Sequence, residues 1–304
     1  MRIKILNALP ESHKLLSVNL HKKKYKGIIW KKEDVIVGDS LLLYKGWPKV
    51  HFNSDWYELA VQDVTRPKYT RRDIQFLLRV VSEFGIDPSL IIDVHCGSGR
   101  HLLELAKNGF HVVGFEGAEL LRRKAIQKAK NSGLKIPFYP TADRFSNPFT
   151  GKADVVTTFF NSMGYTFSKK DDIERLSWIS DLLKPNGLLL IDYRSAEFQM
   201  QKYNVLTKYD DEIRIPASDL TAIAITRKII DKKILGAVET IYAPVQDRQK
   251  VVQRTSYGWE LYLKDELRAM LDSCGIQMER AYQSYYSNKL MDGERVFLVG
   301  KKDT

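Results

Sequence analysis

The chain has 304 residues, 44% of them hydrophobic, enough to bury a sizeable core as one large domain or as a core with an accessory piece. Its two cysteines, Cys96 and Cys274, exclude a disulfide framework. No apolar run reaches the length that spans a bilayer and no signal-like stretch is present, so a reducing, cytoplasmic setting without membrane contact is expected. A net charge of +11 admits acidic partners, and the six histidines and two cysteines show no metal-ligand spacing, so no metal is expected.

Residues 1–54 read as short strands, with turn signals at Gly38–Asp39 and Lys45–Gly46, forming a small β-rich extension that could serve as a cap or oligomer arm. Lys14, Lys22, Lys23, Lys24, Lys26, Lys31 and Lys32 crowd this stretch, interleaved with Tyr25, Trp30, Tyr44 and Trp47. Two readings stay open: a surface for phosphates and stacked bases, or a solvated lysine-rich face over aromatics that pack a small sheet. Asp55 to Arg72 is a polar-aromatic lead-in containing Tyr57, Tyr69 and Arg71. The spacing of Ile74, Leu77, Leu78 and Val81 then predicts a helix.

The most informative stretch follows. Ile91–Ile92–Asp93–Val94 is an apolar strand that runs into His95–Cys96–Gly97–Ser98–Gly99–Arg100, a glycine-rich turn opening an amphipathic helix. A second strand, His111 to Phe115, ends at the acid Glu116. This is the layout of a nucleotide-type cofactor site: the glycines admit a close backbone approach and the acid can accept from both ribose hydroxyls. A dinucleotide fingerprint would need a third small residue where Leu102 stands, and there is no G-x-x-x-x-G-K-[ST] loop, so neither a nicotinamide oxidoreductase nor a P-loop enzyme fits.

Further along, Leu134 to Tyr139 reads as a third short strand followed by Ala142–Asp143. Ala153 to Phe160 reads as a fourth strand entering Asn161–Ser162–Met163–Gly164–Tyr165. A helix carrying Ile173, Leu176, Ile179 and Leu183 leads to a Lys184–Pro185–Asn186–Gly187 turn and the buried strand Leu188 to Asp192. Residues 200–262 read as a three-stranded meander, over Thr221 to Ile230, Lys232 to Tyr242 and Lys250 to Tyr262. A helix with Leu267, Met270, Leu271 and Cys274 ends at Gly275, and Met278 to Ser287 with Arg295 to Lys301 form a closing hairpin.

The two-glycine loop with its preceding acid, the Asp143 position, the Asn-Ser-x-Gly-Tyr turn and the Lys-Pro-Asn-Gly turn occur in the order and spacing of one family. The chain resembles the class I S-adenosylmethionine-dependent methyltransferases, and in layout their small-molecule N-methyltransferase branch. The resemblance covers residues 55–200 closely and 259–304 by pattern, and does not reach residues 1–50. It implies an α/β, Rossmann-like fold: a seven-stranded, mostly parallel sheet with helices on both faces, an antiparallel β-meander insertion and the small N-terminal β-rich extension. The expected division is 1–54 (extension), 55–199 with 263–304 (core) and 200–262 (an insertion serving as lid, dimer contact or both).

The resemblance also implies roles. Asp93 would orient the loop by accepting backbone N–H bonds or face the methionine amino group, and Gly97 and Gly99 would let the backbone approach the cofactor, S-adenosyl-L-methionine. Glu116 would hold the ribose diol, Asp143 the adenine amino group, and Phe115 or Phe145 would sandwich the adenine. Tyr57 and Arg71 would suit the methionine carboxylate, and Phe160 would line the cofactor. Asn161 and Tyr165 would face the reactive methyl, with Ser162, Tyr193 and Arg194 nearby. His95 departs from the family, which has glycine or another small residue there; a bulky imidazole could crowd the methionine moiety, bond its carboxylate or point into the sheet.

A small-molecule acceptor methylated at N or O is expected. Adenine and guanine N-methylation usually shows [DNS]-P-P-[FWY] where this chain has Phe159–Phe160–Asn161–Ser162, and cytosine-C5 chemistry needs a cysteine after that strand. The alternatives are an RNA or other nucleic-acid methyltransferase using the basic extension, and a non-catalytic cofactor-binding scaffold in which His95 blocks turnover.

Overall fold

The computed structural model describes residues 65–146, 148–204, 211–214, 222–231, 233–245, 248–282 and 295–304, with short stretches before residue 65 (24–25, 28–29, 35–37, 42–44, 52 and 57–61). The chain divides into two compact units, Met1–Ala60 with Tyr203–Trp259, and Val61–Lys202 with Glu260–Thr304.

The second unit holds a seven-stranded sheet. Its strands are β1 (Ile91–Val94), β2 (Val112–Phe115), β3 (Phe138–Tyr139), β4 (Ala153–Thr158), β5 (Leu183–Arg194), β6 (Ile276–Tyr282) and β7 (Arg295–Lys302), in the order β6-β7-β5-β4-β1-β2-β3. β1 to β5 are mutually parallel; β7 runs antiparallel to both β5 and β6. The helices of this unit include α1 (Pro67–Glu83), α2 (Arg100–Lys107), α3 (Glu119–Asn131), α4 (Lys169–Leu182), α5 (Ala196–Asn204) and α6 (Lys264–Asp272). This is the mostly parallel α/β sheet that the sequence predicts.

The strand pattern shows why. β1 is buried throughout, so its run of apolar residues serves two faces at once. Ile91 joins Ile74, Leu77 and Val81 of α1 and Leu102 and Leu105 of α2 in one core cluster. Ile92 joins Leu176 and Ile179 of α4 and Leu267, Met270 and Leu271 of α6 in the other. Pro67 opens α1, where a missing N–H costs nothing. Ser168 caps α4 by accepting from Asp171 N at 3.2 Å. The chain steps outward from β1 through β2 to β3, then crosses back to β4 and β5. The loops leaving β1 and β4 therefore part at a switch point, where ligands of open α/β sheets bind.

Two details refine the expectations. The predicted turn at Lys184–Gly187 is a bulge inside one continuous strand: Ala153 pairs with Leu183, but Val155 already pairs with Leu188, and Asn186 takes φ 64° to make the excursion. β3 is shorter than the Leu134–Tyr139 expected; Pro137 has no N–H to give, and its carbonyl accepts from Gly114 N at 3.0 Å.

In the other unit, strands Lys24–Tyr25 with Ile28–Ile29, and Val35–Val37 with Leu42–Tyr44, form two small antiparallel pairs. A four-stranded sheet runs Asp211–Arg214, Ala222–Asp231, Ile234–Val245 and Arg248–Glu260 in that order. The sequence reading has the last three strands and lacks the first, whose Asp-Glu-Ile-Arg carries almost no apolar signal. Residues Lys14, Lys22, Lys23, Lys26, Lys31 and Lys32 lie outside the described residues, as do Trp30 and Trp47.

Leu102, the residue too large for a dinucleotide fold, is accommodated from the opposite side. A Cβ on Gly114 of β2 would stand 2.7 Å from Leu102 Cδ1, 2.7 Å from Phe138 Cδ1 and 2.9 Å from Cys96 Sγ. The missing methyl is on the strand, where the dinucleotide fold removes it from the helix. Gly114→Ala is expected to lower unfolding free energy by about 1–3 kcal/mol through overpacking. In denaturant titrations the double variant Gly114→Ala/Leu102→Ala should lose clearly less than the sum of the two single changes.

Candidate functional site

The glycine loop leaves β1 through three left-handed residues: His95 at φ 60°, Gly97 at 57° and Gly99 at 79°. Gly99 caps α2, and a Cβ there would press on Ala125 at 3.2 Å and Phe138 at 3.3 Å. A Cβ on Gly97 would meet nothing within 4 Å, so the loop backbone faces open space at that point. His95 accepts the left-handed geometry without being glycine, a conformation in which histidine is tolerated better than most residues.

Glu116 fixes this loop. Its Oε2 accepts from Gly97 N at 2.8 Å and its Oε1 from Ala118 N at 2.7 Å, so one carboxylate ties the end of β2 to the loop after β1. Burial drives its acid constant up to about 7, against the lowering effect of the Ala118 and Gly97 amides, with Asp93 adding to the rise. The same burial pushes the Cys96 thiol well up, with Glu116 and Asp93 contributing, so Cys96 is a packed neutral thiol.

Asp93 does not staple the loop backbone as expected. It lies within the β1 ladder, where its Oδ1 accepts from Thr157 Oγ1 at 2.7 Å and its Oδ2 stands 3.8 Å from His101 Nδ1. His101 is buried, and its Nε2 lies 3.0 Å from Asp73 Oδ2 on α1. The same Asp73 oxygen receives Arg100 Nη1 at 2.7 Å, and Arg100 also donates to Thr70 Oγ1 at 3.1 Å. This network clamps α1 onto the start of α2. The sequence reading lacks His101 and Asp73 and has Arg100 only as the end of the glycine turn, because a single polar residue on a helix gives no sign of the partner it meets.

At the end of β4, Phe160 and Asn161 are both left-handed, at φ 70° and 57°. Asn161 N donates to Asp192 Oδ1 at 2.6 Å and Asn161 Oδ1 accepts from Arg194 N at 2.8 Å, so the turn is pinned to the end of β5. Beneath it, buried Asp172 accepts from Tyr262 OH at 2.7 Å and Gly164 N at 3.1 Å through Oδ2, while Oδ1 stands 3.4 Å from Arg175 Nη1. Arg175 in turn donates to Ser162 O at 2.8 Å. Burial raises the Asp172 and Tyr262 acid constants.

The structure thus brings His95, Gly97, Gly99 and Glu116 together around the β1 and β2 ends. Phe160 and Asn161 follow the neighbouring β4, and the Arg100 guanidinium lies 5.8 Å from the Phe160 ring centre. Tyr165 is half-buried directly after Gly164 in the same turn. Asp143 sits in the short 3-10 turn Thr141–Phe145, and a Cβ on Gly117 would touch Thr141 Oγ1 at 2.8 Å, so that turn abuts the residue after Glu116. Two expectations fall elsewhere in this unit, those for Arg71 and Phe115. Tyr57 belongs to the other unit, its ring edge-on to Phe52 at 5.0 Å. Arg71 is exposed on α1. Phe115 is fully buried among Tyr139, Phe149 and Trp178, so it fills the core and is no adenine platform. The Phe145 side chain lies outside what is described.

The residues suit an adenosyl cofactor with a charged amino-acid end. Each Glu116 oxygen holds one backbone N–H and keeps lone-pair capacity for a hydroxyl. His95 Nδ1, Thr158 Oγ1 and Asn161 Nδ2 are buried without hydrogen-bond partners at the ends of the adjacent strands β1 and β4, as expected where a polar ligand completes the bonding. Among the described residues no group of histidine, cysteine or carboxylate side chains could hold a metal, and no helix is long and apolar enough to cross a membrane.

A carboxyl raised in the folded state favours folding while protonated. For Glu116 that contribution is complete below its ordinary value of 4.5 and is lost as pH climbs through about 7. The thermal midpoint of the ligand-free protein should therefore carry a decline from about pH 5 to 8 that Glu116→Gln removes. An unchanged slope in that variant would contradict the assignment.

Comparison with known proteins agrees with this geometry. The family described as a methyltransferase domain matches residues 91–187. A glycine/sarcosine N-methyltransferase from Parasynechococcus marenigrum is 30% identical over 123 residues, which is 40% of this chain and 43% of that protein. A solved S-adenosylmethionine-dependent methyltransferase from Clostridium acetobutylicum superimposes with TM-score 0.67 at 18% identity, covering 82% of this chain and 96% of that one. The sugar N-methyltransferase KedS8 from Streptoalloteichus superimposes with TM-score 0.63 at 18% identity, covering 82% and 93%. Residues 91–187 are a methyltransferase domain, and the chain is an S-adenosylmethionine-dependent methyltransferase.

Proposed function

We propose that this enzyme methylates a nitrogen of a small polar molecule, an amino acid or amino sugar, with the loop after β1 and Glu116 holding the cofactor. Gly97 gives the cofactor its backbone approach, Glu116 takes the ribose hydroxyls on its two free lone pairs, and Asp143 stands on the adenine side. When bound, S-adenosylmethionine supplies a methyl already activated on a sulfonium. The protein's work is then to align the acceptor and exclude water.

The observation that carries the acceptor class is the orientation of Asn161. The atom facing the Arg194 N–H must be its carbonyl oxygen, so the buried atom left without a partner is the donor Nδ2. A donor cannot remove a proton, but it can hold a carboxylate or hydroxyl oxygen of the acceptor. An amine attacks in its neutral form and needs no base on the enzyme, whereas a hydroxyl acceptor would call for one. The glycine/sarcosine and sugar N-methyltransferases to which the chain is similar support the same class. Cys96 and Cys274 are both free, which supports a cytoplasmic setting. The sheet of residues 211–260 is proposed as a lid, a dimer contact or both.

The test is an acceptor screen of glycine, sarcosine, amino sugars, hydroxyl analogues and RNA, read by S-adenosylhomocysteine release and product mass. Methylated amines are expected; methylation of RNA alone would contradict the proposal. Asn161→Gly keeps the left-handed backbone and removes the donor. It should lower kcat/KM by about 10- to 100-fold, the worth of one hydrogen bond to a charged group, and lower the thermal midpoint as well, because the Arg194 N–H loses its acceptor.

A further inference from the structure

His95 occupies a position in the glycine loop that needs φ 60°, ahead of two glycines with the same geometry at 57° and 79°. A residue with a Cβ costs about 1–2 kcal/mol in that region relative to glycine, so the side chain must return something. It does not return packing into a satisfied core, since Nδ1 is buried with no partner. Nor does it return charge. Burial, with Arg175 nearby, holds its acid constant down at about 3, so the ring is neutral at any physiological pH. A neutral ring puts no positive charge beside a sulfonium.

Strand order says what passes over it. β1 lies between β2, which ends at Glu116, and β4, which ends at the Asn161 turn. On the reading given above, the ribose lies over the first and the methyl acceptor over the second. The part of the cofactor between them is the sulfonium with its amino-acid chain. Asp93 and Glu116 are buried carboxylates whose charge reaches the neighbouring Cys96, and a negative field there favours an α-ammonium. We infer that His95 is a cofactor-positioning residue whose Nδ1 hydrogen-bonds the zwitterionic amino-acid end of the bound cofactor, a contact that glycine at this position cannot make. This inference rests on the loop being the cofactor site.

Calorimetric titration with S-adenosylhomocysteine and with 5′-methylthioadenosine, which lacks the amino-acid end, tests it in His95→Gly, His95→Asn and Gly97→Val. His95→Gly should bind S-adenosylhomocysteine about 10-fold more weakly and 5′-methylthioadenosine as wild type does. His95→Asn, which tolerates the left-handed backbone and places a polar atom near the Nδ1 position, should retain most of the affinity for S-adenosylhomocysteine. Tighter or unchanged binding of S-adenosylhomocysteine by His95→Gly, or an equal loss for both ligands, overturns the inference. Gly97→Val separates the two levels. If it abolishes binding while His95→Gly does not weaken it, only the His95 contact falls. If Gly97→Val also binds normally, the loop is not the cofactor site and both readings fall.

Discussion

One carboxylate sets the geometry of the candidate site. Glu116 holds the Gly97 and Ala118 amides at 2.8 and 2.7 Å, joining the loop that leaves β1 to the end of β2. Without it, a loop that turns through three left-handed residues would have no reason to choose one shape, since glycine removes the steric preference that shapes other turns. Burial makes the group costly to ionise, and the two backbone donors offset part of that cost. The result is a preformed acceptor at the mouth of the sheet, poised near neutrality.

Around this point the fold spends its buried polar groups on holding backbone turns in place. Asp192 and Asn161 lock the turn after β4 to the end of β5. Asp172 secures the same turn from below through Gly164, Tyr262 and Arg175. Gly164 itself abuts the backbone of Glu260: a Cβ there would lie 2.1 Å from Glu260 O, and Glu260 N donates to Gly164 O at 2.8 Å. On the other face, Asp73 binds Arg100 and His101 and so fixes where α2 begins. Buried networks of this kind rigidify a site, whereas the unpartnered atoms of His95, Thr158 and Asn161 lie together at the ends of β1 and β4, where a ligand would complete their bonding.

Much of this was legible from the residues. The strand–turn–helix at 91–100, the acid at Glu116 and the buried strand after Asn186 follow from apolar periodicity and glycine placement, which are local properties. What could not be read is pairing across the fold. Asp93 was expected to bond its own loop, but its position in the ladder turns it toward Thr157 and His101. Leu102 looked only like a departure from the dinucleotide pattern until Gly114 on the neighbouring strand explained its room. Phe115 has the composition of an adenine platform and the burial of a core residue. Arg71 and Arg100 are indistinguishable as letters; only the fold shows that the second meets Asp73.

The central claim is that the cofactor lies against the loop after β1 and the end of β2, and that Glu116 and the loop amides are what it orders. Amide hydrogen exchange of the protein with and without S-adenosylhomocysteine measures this directly, since it reads local opening segment by segment. The account predicts strong added protection in peptides covering residues 95–103 and 114–120, a smaller gain at 158–165, and none along β6 and β7. Protection that gathers elsewhere, or that leaves 95–103 unchanged while the ligand is bound, would contradict it.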